Sequence, residues 1–123
     1  PEDCAVFHCS GCWAVLGDSL HLCAQEDKRL GLLVCFKVTN NVIWEDSLVV
    51  GLGGALLGCA YKALSCRSCG SMVGLILHSA SRDLAYLRGF FCFFKESIIC
   101  YLLENQTVTE ASKVNFPPVT LMK

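Results

Sequence analysis

Two CxxC pairs, Cys9-Ser10-Gly11-Cys12 and Cys66-Arg67-Ser68-Cys69, have the spacing in this chain best suited to chemistry. Two thiolates separated by two residues can share one tight turn that aims both sulfurs at a metal about 2.3 Å away. Two such turns supply four ligands. Four thiolates close the coordination sphere to water and substrate, so the expected chemistry is one structural zinc ion held by Cys9, Cys12, Cys66 and Cys69. A redox reading would need a pair that opens a helix after a strand. Strand-like sequence follows both pairs, and a shared metal explains why the motif occurs twice.

The other residues offer less. The chain has 10 cysteines, an even number that would suit a disulfide framework in a secreted domain. Nothing in it resembles a signal peptide, and Cys4, Cys23, Cys35, Cys59, Cys92 and Cys100 are scattered, mostly in apolar stretches where a thiol packs as a small core hydrophobe. His8, His21 and His78 form no legible Ser-His-Asp or Cys-His arrangement, and His8 beside Cys9 is read as incidental to the metal. Gly51, Gly53, Gly54 and Gly58 match neither GxGxxG nor a Walker loop; bends or bulges between strands are expected there. Asn105-Gln106-Thr107 is a glycosylation sequon, expected to be silent without secretion. Both tryptophans, Trp13 and Trp44, are candidates for an aromatic cage, with isolated packing as the plainer reading of each.

The elements that position the cysteines must fit within 123 residues, enough for one domain that a metal staple would help. The start at Pro1-Glu2 suggests a fragment or a processed chain. Hydrophobic residues make up 54% and mean hydropathy is +0.50, more than a small core absorbs, so part of the excess is expected in a protein–protein interface. The uncharged run over residues 48–61 is too short and too rich in glycine to span a membrane. A net charge of -1 without a basic cluster larger than Lys28-Arg29 withholds the electrostatic footprint of nucleic-acid binding.

Each CxxC pair reads as the tip of a hairpin. Residues 4–8 enter the first and 13–16 leave it, while residues 60–65 enter the second and 73–78 leave it. Gly11 and Gly70 are assigned the backbone freedom that these turns need. Further strands are expected at 20–23, 30–38, 42–44, 48–52, 88–94 and 98–103, with a turn at 17–19, a charged loop at 24–29 and a helical turn or polar connection over 79–87. The aromatic run Phe90-Phe91-Cys92-Phe93-Phe94 reads as a central buried strand. From Glu104 the sequence turns polar towards Pro117-Pro118. This predicts a domain over 4–104 and a linker over 105–123 leading towards a missing helical segment. The fold class expected is all-β, about eight short strands in two antiparallel sheets clamped at one end by zinc.

Two CxxC pairs at this separation in an all-β chain resemble the Yippee domain. Cys4-Ala5-Val6-Phe7, Val38-Thr39-Asn40-Asn41-Val42, Arg88-Gly89-Phe90-Phe91-Cys92 and Cys100-Tyr101-Leu102-Leu103 resemble the beta subunit of the vertebrate Mis-eighteen centromere-licensing family. Cys9-Ser10-Gly11-Cys12 and Leu16-Gly17-Asp18-Ser19-Leu20 look more like its alpha paralogue. The resemblance covers nearly the whole chain. It implies a β-tent fold and a nuclear, centromeric adaptor that forms homo- or hetero-oligomers with its paralogous alpha subunit. Further implied partners are a Myb-containing Mis-eighteen-binding protein and the chaperone of the centromeric histone variant CENP-A, whose deposition the complex directs. Neither a membrane nor direct nucleic-acid binding is implied. From glycine content and absence of charge, residues 48–57 are the expected pairing surface.

The β-tent is also shared with zinc-bearing methionine sulfoxide reductases of the B type. Cys92, after Arg88, would be the nucleophile of such an enzyme. Its apolar neighbours argue for an inert thiol, and the accompanying histidine and asparagine have no counterpart.

Overall fold

The computed structural model describes residues 4–116. Short alternating or wholly apolar segments punctuated by glycine and polar turns leave the chain little choice but strands. Eleven are formed by the described residues: β1 (Ala5–Cys9), β2 (Val15–Asp18), β3 (Leu22–Glu26), β4 (Leu32–Cys35), β5 (Val42–Trp44), β6 (Val49–Val50), β7 (Ala60–Cys66), β8 (Met72–Ser79), β9 (Phe91–Phe94), β10 (Ile98–Leu102) and β11 (Thr107–Glu110). Helical structure among them is confined to short 3-10 turns, the longest being Arg82–Leu87.

All pairings are antiparallel and fall into two sheets, one of four strands in the order β11-β10-β1-β2 and one of seven in the order β3-β4-β9-β8-β7-β5, with β6 also on β7. The expected all-β, two-sheet class is the observed one. The inner face of the four-stranded sheet (Phe7, Leu16, Ile98, Cys100) packs on Leu33, Cys35, Leu64, Val73 and Phe93 of the larger sheet. The larger sheet is buried on its other face as well, where Leu32, Val34, Leu75, Leu77 and Cys92 meet Leu84 and Leu87 from the 3-10 turn. Burial on both faces explains the uninterrupted apolar runs of β4, buried throughout, and of β9, buried at Cys92 and Phe93 and partly covered at its ends. At Gly74 a Cβ would stand 2.0 Å from the carbonyl oxygen of Cys92, so the β8–β9 contact excludes any side chain there.

Several expectations need correction. Gly17 and Asp18 do not turn; they end β2, and Asp18 caps the following 3-10 turn by accepting from the His21 N–H. The charged segment at 24–29 is strand up to Glu26, whose buried carboxylate accepts from the backbone N–H groups of Arg29 and Leu30, 2.8 Å each. The linker expected from residue 105 is structured as far as described: β11 pairs with β10 from Ile99↔Glu110 to Leu102↔Thr107, and Ala111 and Phe116 enter the inter-sheet core. Residues 117–123, including Pro117-Pro118, lie outside the described residues.

Candidate metal centre

The first CxxC pair closes the β1–β2 hairpin of the smaller sheet, and the second closes the β7–β8 hairpin of the larger one. The two turns are built alike. The Cys9 N–H donates to the Ala14 carbonyl at 2.9 Å and the Trp13 N–H to the Cys9 carbonyl at 2.8 Å. Correspondingly, the Cys66 N–H donates to the Ser71 carbonyl at 2.9 Å and the Gly70 N–H to the Cys66 carbonyl at 2.8 Å. The residue after each second cysteine is left-handed: Trp13 at φ 68 and Gly70 at φ 79. Gly70 therefore supplies the freedom assigned to it, whereas in the first turn that conformation falls on Trp13 rather than Gly11. Glycine adopts it freely, and for a side-chain-bearing residue it costs about 1–2 kcal/mol.

Where the hairpins converge, the Sγ atoms of Cys9, Cys12, Cys66 and Cys69 all lie within 4.8 Å of one another. Cys9 Sγ is 3.7 Å from Cys69 Sγ, and Cys12 Sγ is 3.5 Å from Cys66 Sγ. A zinc tetrahedron with 2.3 Å bonds has sulfur–sulfur edges of about 3.8 Å, whereas a disulfide needs about 2.05 Å. The four thiols have the dimensions of one closed zinc site, and all ten cysteines are free.

The four thiols differ electrostatically. Burial pushes Cys9 up to about 12, and burial also raises Cys66. Exposed Cys69 is held down to about 6 by hydrogen bonding with the Ser71 side chain, whose hydroxyl oxygen is 3.2 Å away, and with the Ser71 backbone. Adding zinc gives the buried thiolates a cation that offsets their desolvation.

Polar contacts brace the cluster that the sequence did not reveal. Asn41 donates from Nδ2 to the Val15 carbonyl of the first hairpin at 2.9 Å, and its own carbonyl accepts from the Arg67 N–H of the second turn at 2.7 Å. Thr39 adds a hydroxyl bond to the Val15 carbonyl at 2.6 Å, and Asn40 accepts from Arg67 Nε at 2.9 Å. A Thr-Asn-Asn loop between strands reads from sequence as a turn; only the tertiary structure makes it a tie between the two sheets. The His8 Nδ1 pairs with the Trp13 carbonyl at 2.7 Å.

Cys92 is fully buried, its thiol pushed up to about 12 by desolvation, and Arg88 turns its Nε to the Ala85 carbonyl. Trp13 and Trp44 each pack on a different ring, Trp13 tilted over His8 and Trp44 against Phe91.

A β domain whose two sheets are brought together at a four-cysteine cluster defines a zinc-binding protein of the Yippee-like class. Residues 5–113 match the family described as Yippee zinc-binding/DNA-binding /Mis18, centromere assembly, and the chain belongs to that family. It is 36% identical over 109 residues to human Protein Mis18-alpha, covering 85% of this chain and 46% of that protein. It is 29% identical over 104 residues to Kinetochore protein mis18 of Schizosaccharomyces pombe, covering 85% of this chain and 52% of that protein. The chain thus spans about half the length of these curated relatives. The crystal structure of a Mis18 'Yippee-like' domain superposes with a TM-score of 0.72 at 26% identity, covering 81% of this chain and 97% of that one.

Proposed function

We propose that the chain is a non-enzymatic, zinc-stabilised interaction module of a nuclear centromere-licensing complex, with Cys9, Cys12, Cys66 and Cys69 as the ligands of one structural zinc. The four-sulfur cluster carries this reading, because each sheet contributes one hairpin to it and four thiolates leave a metal no open position. The names of its relatives, Protein Mis18-alpha and Kinetochore protein mis18, support the centromeric assignment. The segments around Cys4, Val38, Arg88 and Cys100 favour a beta-type subunit that pairs with an alpha paralogue. Contacts to a Myb-containing partner and to a chaperone of CENP-A would follow from that membership.

Two apolar surfaces suit pairing. Within residues 48–57, Leu48, Val50, Leu52 and Leu57 are exposed, Leu52 at 89%. The outer face of the four-stranded sheet aligns Val6, Tyr101 and Val108 across β1, β10 and β11, with Ile99 beside them. Light scattering on the zinc-loaded chain, alone and with the alpha paralogue, tests the reading. Complexes lost on Leu52→Asp or Tyr101→Asp at an unchanged melting temperature would identify the pairing face; strict monomers under all conditions would reject the module.

A further inference from the structure

The β7–β8 pair carries a second feature that shares no residue with the cysteine cluster. Lys62 stands opposite Ile76 in the register, and His78 lies two residues beyond Ile76 on the same side of β8. Residues 85–90 run beside this patch, pinned where the Gly89 N–H donates to the Leu77 carbonyl at 3.1 Å with Gly89 at φ 84. The result is a cleft of about 790 Å³ with Ile76 in its lining. We infer that this cleft, lined by Trp44, Lys62, His78, Tyr86, Arg88 and Phe90, is a docking site for an acidic peptide segment carrying an apolar anchor.

Charge argues for the acidic occupant. The lining contains Lys62, Arg88 and the His78 imidazole but no aspartate or glutamate. Among the described residues none of the three joins an ion pair, whereas Arg29, Lys95 and Lys113 pair with Asp83, Asp27 and Glu110. This is a local positive surplus on a chain of net charge -1. The Arg88 guanidinium is steadied by its Nε bond to the Ala85 carbonyl at 3.3 Å, which leaves its terminal nitrogens to face a carboxylate.

The apolar anchor follows from the walls. Trp44 is 46% and Tyr86 48% exposed although both line a concave site, and aromatic surface left open in this way marks a place where another apolar group packs. Trp44 is held by its tilted contact with Phe91 at 5.8 Å, so its ring is positioned before anything binds. A nucleic-acid backbone fits less well. It needs a run of cations along its path, and here exposed Glu45 and Asp46 directly follow Trp44. A short peptide can keep its carboxylates on the Lys62 and Arg88 side.

The probes are a labelled hexapeptide of alternating glutamate and phenylalanine, its glutamine counterpart, and a short DNA duplex, each titrated into the intact zinc-loaded chain by fluorescence anisotropy. The acidic peptide should bind at least about tenfold tighter than the glutamine peptide at low salt and quench tryptophan emission. Lys62→Glu with Arg88→Glu should abolish the preference, and Leu52→Asp should leave it intact. Zinc content and near-ultraviolet circular dichroism report folding, and Arg88→Glu alone, on an exposed loop, serves if the double variant unfolds. Equal affinity for both peptides, indifference to the charge reversals, or binding of the duplex alone would each overturn the assignment. Pairing measured in the same samples separates its failure from failure of the interaction-module reading.

Discussion

Trp13 and Gly70 occupy the same position in two separate turns: each follows the second cysteine of its pair, is left-handed, and donates its N–H to the carbonyl of the first cysteine. The shared geometry means that the backbone, and not the identity of that residue, sets the direction of the sulfurs. A Cβ at position 70 would meet nothing within 4 Å, so a substitution there is opposed by backbone strain alone. Gly70→Ala is expected to destabilise the zinc-loaded chain by about 1–2 kcal/mol while keeping one zinc. Urea unfolding checks this, and an unchanged midpoint would show that the turn relaxes.

The cluster should dominate stability. Zinc binding by small peptides is worth about 10–16 kcal/mol and a domain's net stability about 5–15 kcal/mol. Cys66→Ser should therefore lose both stoichiometric zinc and the cooperative melt, and excess chelator should do the same to the parent chain. Metal analysis alongside circular dichroism reads both; one zinc and native melting in the variant would contradict the site.

Zinc affinity should rise steeply with pH. Cys9 and Cys66 titrate above the usual thiol value and hold protons at pH 8, whereas Cys69, at about 6, has already lost its own. Binding must expel at least the Cys9 and Cys66 protons, and acid opposes any reaction that releases protons. The apparent dissociation constant should fall by about a hundredfold or more from pH 7 to pH 8, measured by competition with a chromophoric chelator. A change of tenfold or less would mean that the buried thiols are ionised beforehand.

Thiol chemistry should separate the core cysteines from the cluster. Burial raises Cys35 and pushes Cys92 and Cys100 up to about 12, so at pH 8 about one Cys92 in ten thousand is ionised. Mass spectrometry of the folded, zinc-loaded chain after iodoacetamide should find these three unmodified. Rapid selective labelling of Cys92 in the folded state would instead favour the sulfoxide-reductase reading.

The segment after residue 104 should be indispensable to the domain. Phe116 is buried and meets Phe7 edge-on with ring centroids 5.8 Å apart. Phe116→Ala should cost about 3–5 kcal/mol, and a chain ending at residue 104 should lose β11 along with it. Thermal melting of both variants tests this; parent-like stability would restore the shorter domain.

Legibility in the sequence followed burial. β4, β9 and the two hairpins were readable because their apolar residues are continuous or end at a CxxC turn. The clustering of Cys9, Cys12, Cys66 and Cys69 was readable because metal spacing is local, although the 3.5 Å and 3.7 Å contacts both run between the pairs. β11 was missed because Thr107-Val108-Thr109-Glu110 is an edge strand with little buried surface, defined by its pairing with β10. Glu26 misled because its carboxylate is consumed by two backbone N–H groups, a use that composition does not show. The strain at Trp13 and the bridge through Asn41 depend on where distant strands come to rest.

The double burial of the larger sheet has an evolutionary consequence. In β9, Cys92 belongs to one core and Phe93 to the other, so inserting or deleting a single residue there would exchange the two faces and spoil both cores at once. The connection over residues 45–58 lies on an edge and is largely exposed. Length variation among homologous chains should therefore accumulate in that connection, while β9 keeps a fixed count of residues.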